Sequence, residues 1–193
     1  MKKLTSLKKY FFLAIVSVLT ANAQTLSPGD IAIIGFNFDN ADQVAFVALA
    51  EIPSGTEIKF TDNGWQSSGS FRANEGILTY TAASTIAAGT VVDVGSFGGT
   101  NIFLSSSGDQ VLAYQGDNSS PTFIYAINSD GSSGTWQSNA TSASTSALPV
   151  GLTNGTDAIA FQERDNGYYS GLITTGTKAE LLAAISNPDN WTT

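Results

Sequence analysis

Between residues 30 and 161 the apolar side chains arrive in short runs, each closed by Gly, Asn, Asp or Pro. Runs of this length are strands rather than helices, and their regular spacing predicts an antiparallel β-sandwich or barrel. The first candidate spans 30–38 and starts apolar on both faces, as a central strand does. Gln43 to Glu51 (QVAFVALAE) has the same two-sided character. Residues 57–61 alternate instead, which turns Ile58 and Phe60 inward and Glu57, Lys59 and Thr61 outward. Further strands are predicted over 77–81, 90–94, 110–115, 122–127 and 157–161.

A single helix is predicted near the end of the chain. Thr177-Lys178-Ala179-Glu180 has the spacing of a capping box, in which hydroxyl and carboxylate satisfy free amides of the first turn. Leu181, Leu182 and Ile185 then make an apolar stripe, and Asn187-Pro188 ends it. The helix is expected over one edge or open end of the sandwich. Residues 128–147 contain ten Ser or Thr, and Trp136 is their only large apolar side chain, so they are expected to form a long loop. The fold class is therefore all-β, a single sandwich domain over 24–193 with one short C-terminal helix.

The first 23 residues have the three-part order of a bacterial secretory signal. Lys2, Lys3, Lys8 and Lys9 precede an apolar stretch from Tyr10 to Leu19, and Ala21-Asn22-Ala23 has the small-x-small pattern of a cleavage site. The stretch is too short to span a bilayer, which takes about 20 residues. Its removal leaves Lys59, Arg72, Arg164 and Lys178 against all sixteen acids, a net charge of −12 on 170 residues. Four scattered cations cannot neutralise a phosphate backbone, so nucleic acid is not an expected partner, nor is an anionic membrane surface. The expected location is outside the cell or on its surface.

The absent residue types restrict chemistry. With no Cys and no His, the chain has no disulfide, no thiolate or Ser-His-Asp nucleophile and no zinc site of the usual ligands. The phosphate-cradling glycine motifs are missing too. What remains is carboxylates and aromatics. Acid-bearing turns can offer calcium its hard oxygen ligands, and Asp39, Asp42 and Asp62 are the expected set because two of those turns flank neighbouring strands. The same Asp-Asn and Asp-Gly pairs are also simply favoured turns. Glu51 and Glu75 lie near apolar segments, where a carboxyl holds its proton more tightly and can serve glycoside hydrolysis. Among the aromatics, Trp136, Tyr168 and Tyr169 are the expected ligand-binding residues, placed on loops where a ring face is free to stack on a sugar. Trp65 and Trp191 are expected to cap the core.

Two stretches resemble the lamin-tail-like domains of secreted bacterial proteins. One lies within 42–65, where VAFVALAEIPSGTEIKFTDNGW is similar to the family's strand, short turn and Gly-Trp ending. The other is Ile86 to Tyr114, where IAAGTVV is followed by LSSSGDQVLAY. The resemblance implies an immunoglobulin-like sandwich acting as a non-catalytic module; the strand pattern alone is equally compatible with a jelly-roll-like arrangement. It transfers no catalytic residue.

The expected function is attachment to an extracellular polymer, such as a glycan, or to a protein. Two alternatives are a calcium-assisted carboxylate hydrolase acting on polysaccharide and an accessory or spacer module of a larger exoenzyme. The chain is also expected to be a piece of a longer secreted protein, because no closing strand or sorting signal is evident after the helix.

Overall fold

A computed structural model describes residues 24–39, 42–98, 100–131 and 134–193, so the leader expected over 1–23 lies outside the described residues. The strands are β1 (Ile31–Asn37), β2 (Gln43–Ala48), β3 (Glu57–Thr61), β4 (Trp65–Gln66), β5 (Ser70–Phe71) and β6 (Ile77–Thr81). They continue with β7 (Val91–Ser96), β8 (Gln110–Asp117), β9 (Ser120–Gly131), β10 (Ala158–Gln162) and β11 (Asn166–Tyr169). Helix α1 (Lys178–Ile185), a 3-10 turn and β12 (Trp191–Thr192) close the chain. One five-stranded sheet has the order β12-β11-β1-β2-β7 and the other β10-β9-β8-β3-β6, while β4 and β5 form a separate hairpin. Among the described residues, every pairing between these strands is antiparallel except β9–β10, which is parallel. The fold is the all-β sandwich with one C-terminal helix that the run lengths imply.

The core lies between the sheets. Ile31, Ile33 and Phe46 of the first sheet meet Ile58, Phe60, Val111, Tyr125 and Ile127 of the second, all 1% exposed or less. Ile58 and Phe60 point inward as expected; Thr61 is also buried, its hydroxyl donating to the Gly76 carbonyl at 2.6 Å. β1 sits in the middle of its sheet, whereas β2 alternates between buried and half-buried positions. The strands buried on both faces are β8, the middle of β9 and β10.

They owe this to a second layer. On the outer face of their sheet, Leu112, Tyr114, Phe123, Ala126 and Ala158 pack under Trp65, Phe71, Trp136, Leu148 and Leu152. Trp65 meets Phe71 and Phe123 edge-on, with ring centroids 5.2 and 4.8 Å away, the arrangement aromatic quadrupoles favour. The loop expected over 128–147 begins later, because residues 128–131 extend β9 against β10; residues 134–147 run over this cap as an irregular loop, held by polar contacts. The Trp65 amide donates to Ser146 Oγ at 2.9 Å, the Ala147 amide to the Trp65 carbonyl at 2.9 Å, and Gln110 Nε2 to the Ala143 carbonyl at 2.8 Å.

Helix α1 closes the side of the sandwich. Thr177 caps it with the full reciprocal box, and Leu182 and Ile185 are buried in the core. Ser186, just past its end, meets the Tyr125 hydroxyl at 2.9 Å, and Lys178 pairs with Asp30 at 2.6 Å. A cation in the first turn opposes the helix dipole, and the Asp30 carboxylate offsets that repulsion. Trp191 fills the adjoining corner beside Phe161, its indole nitrogen donating to the Ile185 carbonyl at 2.7 Å.

Candidate functional site

The two sheets differ on their outer faces. The cap covers one, but the middle of the other stays open around Gly35 and Ala45. Strand register orders the open face. Tyr168, Gly35, Ala45 and Asp93 are successive partners across β11, β1, β2 and β7. Two residues further along β1 the row reads Asn166, Asn37, Gln43 and Ser96. Side chains two apart on a strand share a face, so both rows look outward.

The first row makes a trough of about 340 Å³. Gly35 and Ala45 form its floor, and Tyr168 and Asp93 stand on either side. Three strand spacings of about 4.8 Å separate those walls by about 14 Å. A β-bulge at Ile33/Gly35 keeps Phe36 in the core and Gly35 outward. A methyl group placed on Gly35 would meet the Gly167 carbonyl at 3.8 Å and Tyr168 Cβ at 4.0 Å, ordinary contacts, so only the absence of a side chain keeps the floor low. Tyr168 is 58% exposed. Its strand approaches β1 because residue 167 is glycine: the Phe36 ring lies 2.7 Å from where a Cβ would be.

The amide row is partly held by Asp39. Asn37 Oδ1 accepts from the Asp39 amide at 3.1 Å, and Asn166 Nδ2 donates to Asp39 Oδ2 at 2.5 Å. Asp93 accepts from the Gly95 amide at 2.8 Å. The three amides, Tyr168 and Asp93 all line the trough.

The expected aromatic residues separate. Tyr168 stands on the open face. Tyr169, its neighbour on the strand, points the other way toward Trp191, with its hydroxyl donating to the Ile173 carbonyl at 2.8 Å. Trp136 is half-buried against the cap, its indole nitrogen donating to Asn154 Oδ1 at 3.0 Å. A second cleft of about 600 Å³ lies between the β4–β5 hairpin and the β8–β9 turn, lined by Ser67, Ser68, Ser119 and Ser120. Its aromatic floor, Trp65, is only 5% exposed.

The acids also separate. Asp42 and Asp62 converge on the 100–104 segment, accepting from the Leu104 and Phe103 amides at 3.0 Å each. Asp39 instead serves Asn37 and Asn166. Among the described residues, no three acids come together in a group able to hold a metal ion. A different acidic set gathers behind Asp62. Burial, then the nearby Asp62 charge, pushes the Glu75 carboxyl up to about 7 against the pull of Arg72. Burial pushes Asp109 up to about 8, opposed by amide bonds from Ser105 and Gln110. Asp62 itself is raised by burial, with Asp42 adding to the effect. These carboxyls lie inside the fold, and the two clefts described above are lined by other residues. Glu51 is exposed between β2 and β3.

Asn37, Gln43, Asn166 and Asp93 were legible as polar residues but not as a set. Pairing 30–38 with 43–51 as a hairpin would have put Asn37 near Gln43; nothing local points to β11 joining them. The chain matches no family model, no curated protein and no solved structure.

Proposed function

We propose that the chain is an exported bacterial binding module, working outside the cell or on its surface, that holds an extracellular polymer or protein on the open face of its first sheet. One observation carries this reading: one outer sheet face is sheathed by a cap, while the other presents an exposed aromatic ring above two small residues. Such a face offers contact area and hydrogen bonds but no nucleophile or acid–base pair. The resemblance to lamin-tail-like modules points the same way, and an accessory role beside a catalytic domain is the same activity in a longer protein. The test is a binding screen of the exported protein over glycans and matrix proteins. Retention that Tyr168→Ala abolishes supports the reading; retention unchanged by Tyr168→Ala removes this face from it.

The second reading is a calcium-assisted carboxylate hydrolase on polysaccharide. It draws on Glu75, whose raised carboxyl has an oxygen, Oε2, that is buried without a hydrogen-bond partner. Its calcium ligands would include Asp42 and Asp62, with Asp39 serving separately. Turnover of a glycan that is lost on Glu75→Gln and on chelation supports it. A melting temperature unmoved by millimolar calcium removes the metal, since an ion bound only by the folded state must stabilise it.

A further inference from the structure

We infer that the trough takes an uncharged polysaccharide built of pyranose rings, an assignment that rests on the binding role proposed for this face. A pyranose has two kinds of surface: axial C–H groups on its faces and hydroxyl pairs around its edge. The trough matches both. The Tyr168 ring offers a π-face to the C–H groups beside a floor cut down to Gly35 and Ala45. Two residues along the strands, about 7 Å away, the row of Asn166, Asn37 and Gln43 supplies uncharged donors and acceptors for the next ring's hydroxyls.

Charge narrows the class. Asp93 stands at one wall and Asp39 is bonded to Asn166 of the amide row, while none of Lys59, Arg72, Arg164 and Lys178 lines the trough. An anionic polymer would meet the Asp93 carboxylate in the trough and no cation, on a chain that carries −12 beyond residue 23. A protein partner fits less well. Stable protein interfaces cover about 800 Å² on each side and centre on a desolvated cluster with large aromatic anchors. Here the centre is glycine and alanine with amides beside them, a surface that selects hydroxyl groups rather than an apolar anchor.

The test is retention of the exported protein on insoluble or gel-embedded polymers: cellulose, β-1,3-glucan, mannan, xylan and chitin as neutral probes, alginate and polygalacturonate as anionic ones, chitosan as the cationic one. At least one neutral polymer is expected to retain the protein, with little change when salt is raised, because no ion pair is involved. Tyr168→Ala should weaken that retention about tenfold, the scale of one lost aromatic contact, while Tyr168→Phe keeps most of it. Gly35→Leu, which fills the floor from outside the core, should weaken it at least as much, with the thermal melt confirming that both variants stay folded. Salt-sensitive retention on chitosan or alginate alone overturns the inference. Retention on no polysaccharide, with a matrix protein still bound and released by Gly35→Leu, overturns the glycan class and leaves the binding face standing. Binding that neither substitution touches overturns both.

Discussion

The backbone amide of Phe103 donates to the carboxylate of Asp62 at 3.0 Å, across 41 residues of chain. The other Asp62 oxygen accepts from the Gly76 amide at 3.1 Å, so one buried carboxyl ties β3 to two separate connecting segments. Asp42 does the same for the Leu104 amide from the opposite sheet. An acid that sequence reasoning placed in a cation site thus also serves as an internal acceptor for loop backbone.

Asp62→Ala should therefore leave the buried Gly76 amide and the partly buried Phe103 amide without acceptors, and destabilise the fold by about 1–3 kcal/mol for each that finds no water. Urea denaturation measures the loss. Asp39→Ala, whose bonds are exposed, should change stability by much less. Equal losses for the two variants would refute the distinction.

The raised carboxyls set the sign of a pH effect. Glu75 moves from an ordinary value of 4.5 to about 7, and Asp109 from 3.8 to about 8. The folded state therefore holds protons that the unfolded chain releases. Their contribution is fully present below about pH 4 and is lost as pH rises toward 7 and 8. The melting temperature should fall between pH 5 and pH 8, and Glu75→Gln should make that fall shallower while leaving the Asp109 share. A flat or rising profile would contradict the burial of these groups.

Gly64 lies where the Ser/Thr-rich loop crosses the cap, and a Cβ there would sit 2.1 Å from the Thr145 carbonyl. Gly64→Ala must push the loop off the hairpin, at a cost of about 1–3 kcal/mol. Because Trp65 is the next residue and is buried, its fluorescence should shift to the red as water reaches it. Gly69→Ala is a poor control, since that glycine has a φ of +84°; Ala73→Ser, exposed on the following turn, is a suitable one.

The capping box makes a local prediction. Thr177→Ala removes the hydroxyl that accepts from the Glu180 amide at 3.3 Å and should cost about 1 kcal/mol. Thr177→Ser should restore most of it. Helix α1 carries Ser186 to its bond with Tyr125, so a loss well above this range would mean that the helix end also fails.

The candidate site was legible in part. Tyr168 was marked by its place beside Asn166-Gly167, but the Tyr-Tyr pair reads as two equivalent exposed rings. Strand alternation makes them opposite, one to the trough and one to the core. Trp136 is the one large apolar side chain of its Ser/Thr-rich segment, and the cluster it packs against is drawn from outside that segment. The short strands β4, β5, β11 and β12 were missed because two to four residues carry too little periodicity to signal pairing; only a neighbouring strand defines them.

The class of the fold, most strand positions, the helix with its cap, and the exclusion of thiol, imidazole and phosphate-loop chemistry are all readable from the order of residues. These follow from side-chain period, residue spacing and composition, which act over a few residues. Which sheet face stays bare, which acids become loop acceptors and which tyrosine looks out are settled by packing across the chain. Each of those depends on contacts between segments tens of residues apart: the cap over β8–β9–β10, the amides of 103 and 104, and the pairing of β11 with β1. Local pattern says that a strand has two faces; only the packing of the whole chain says which one is left uncovered.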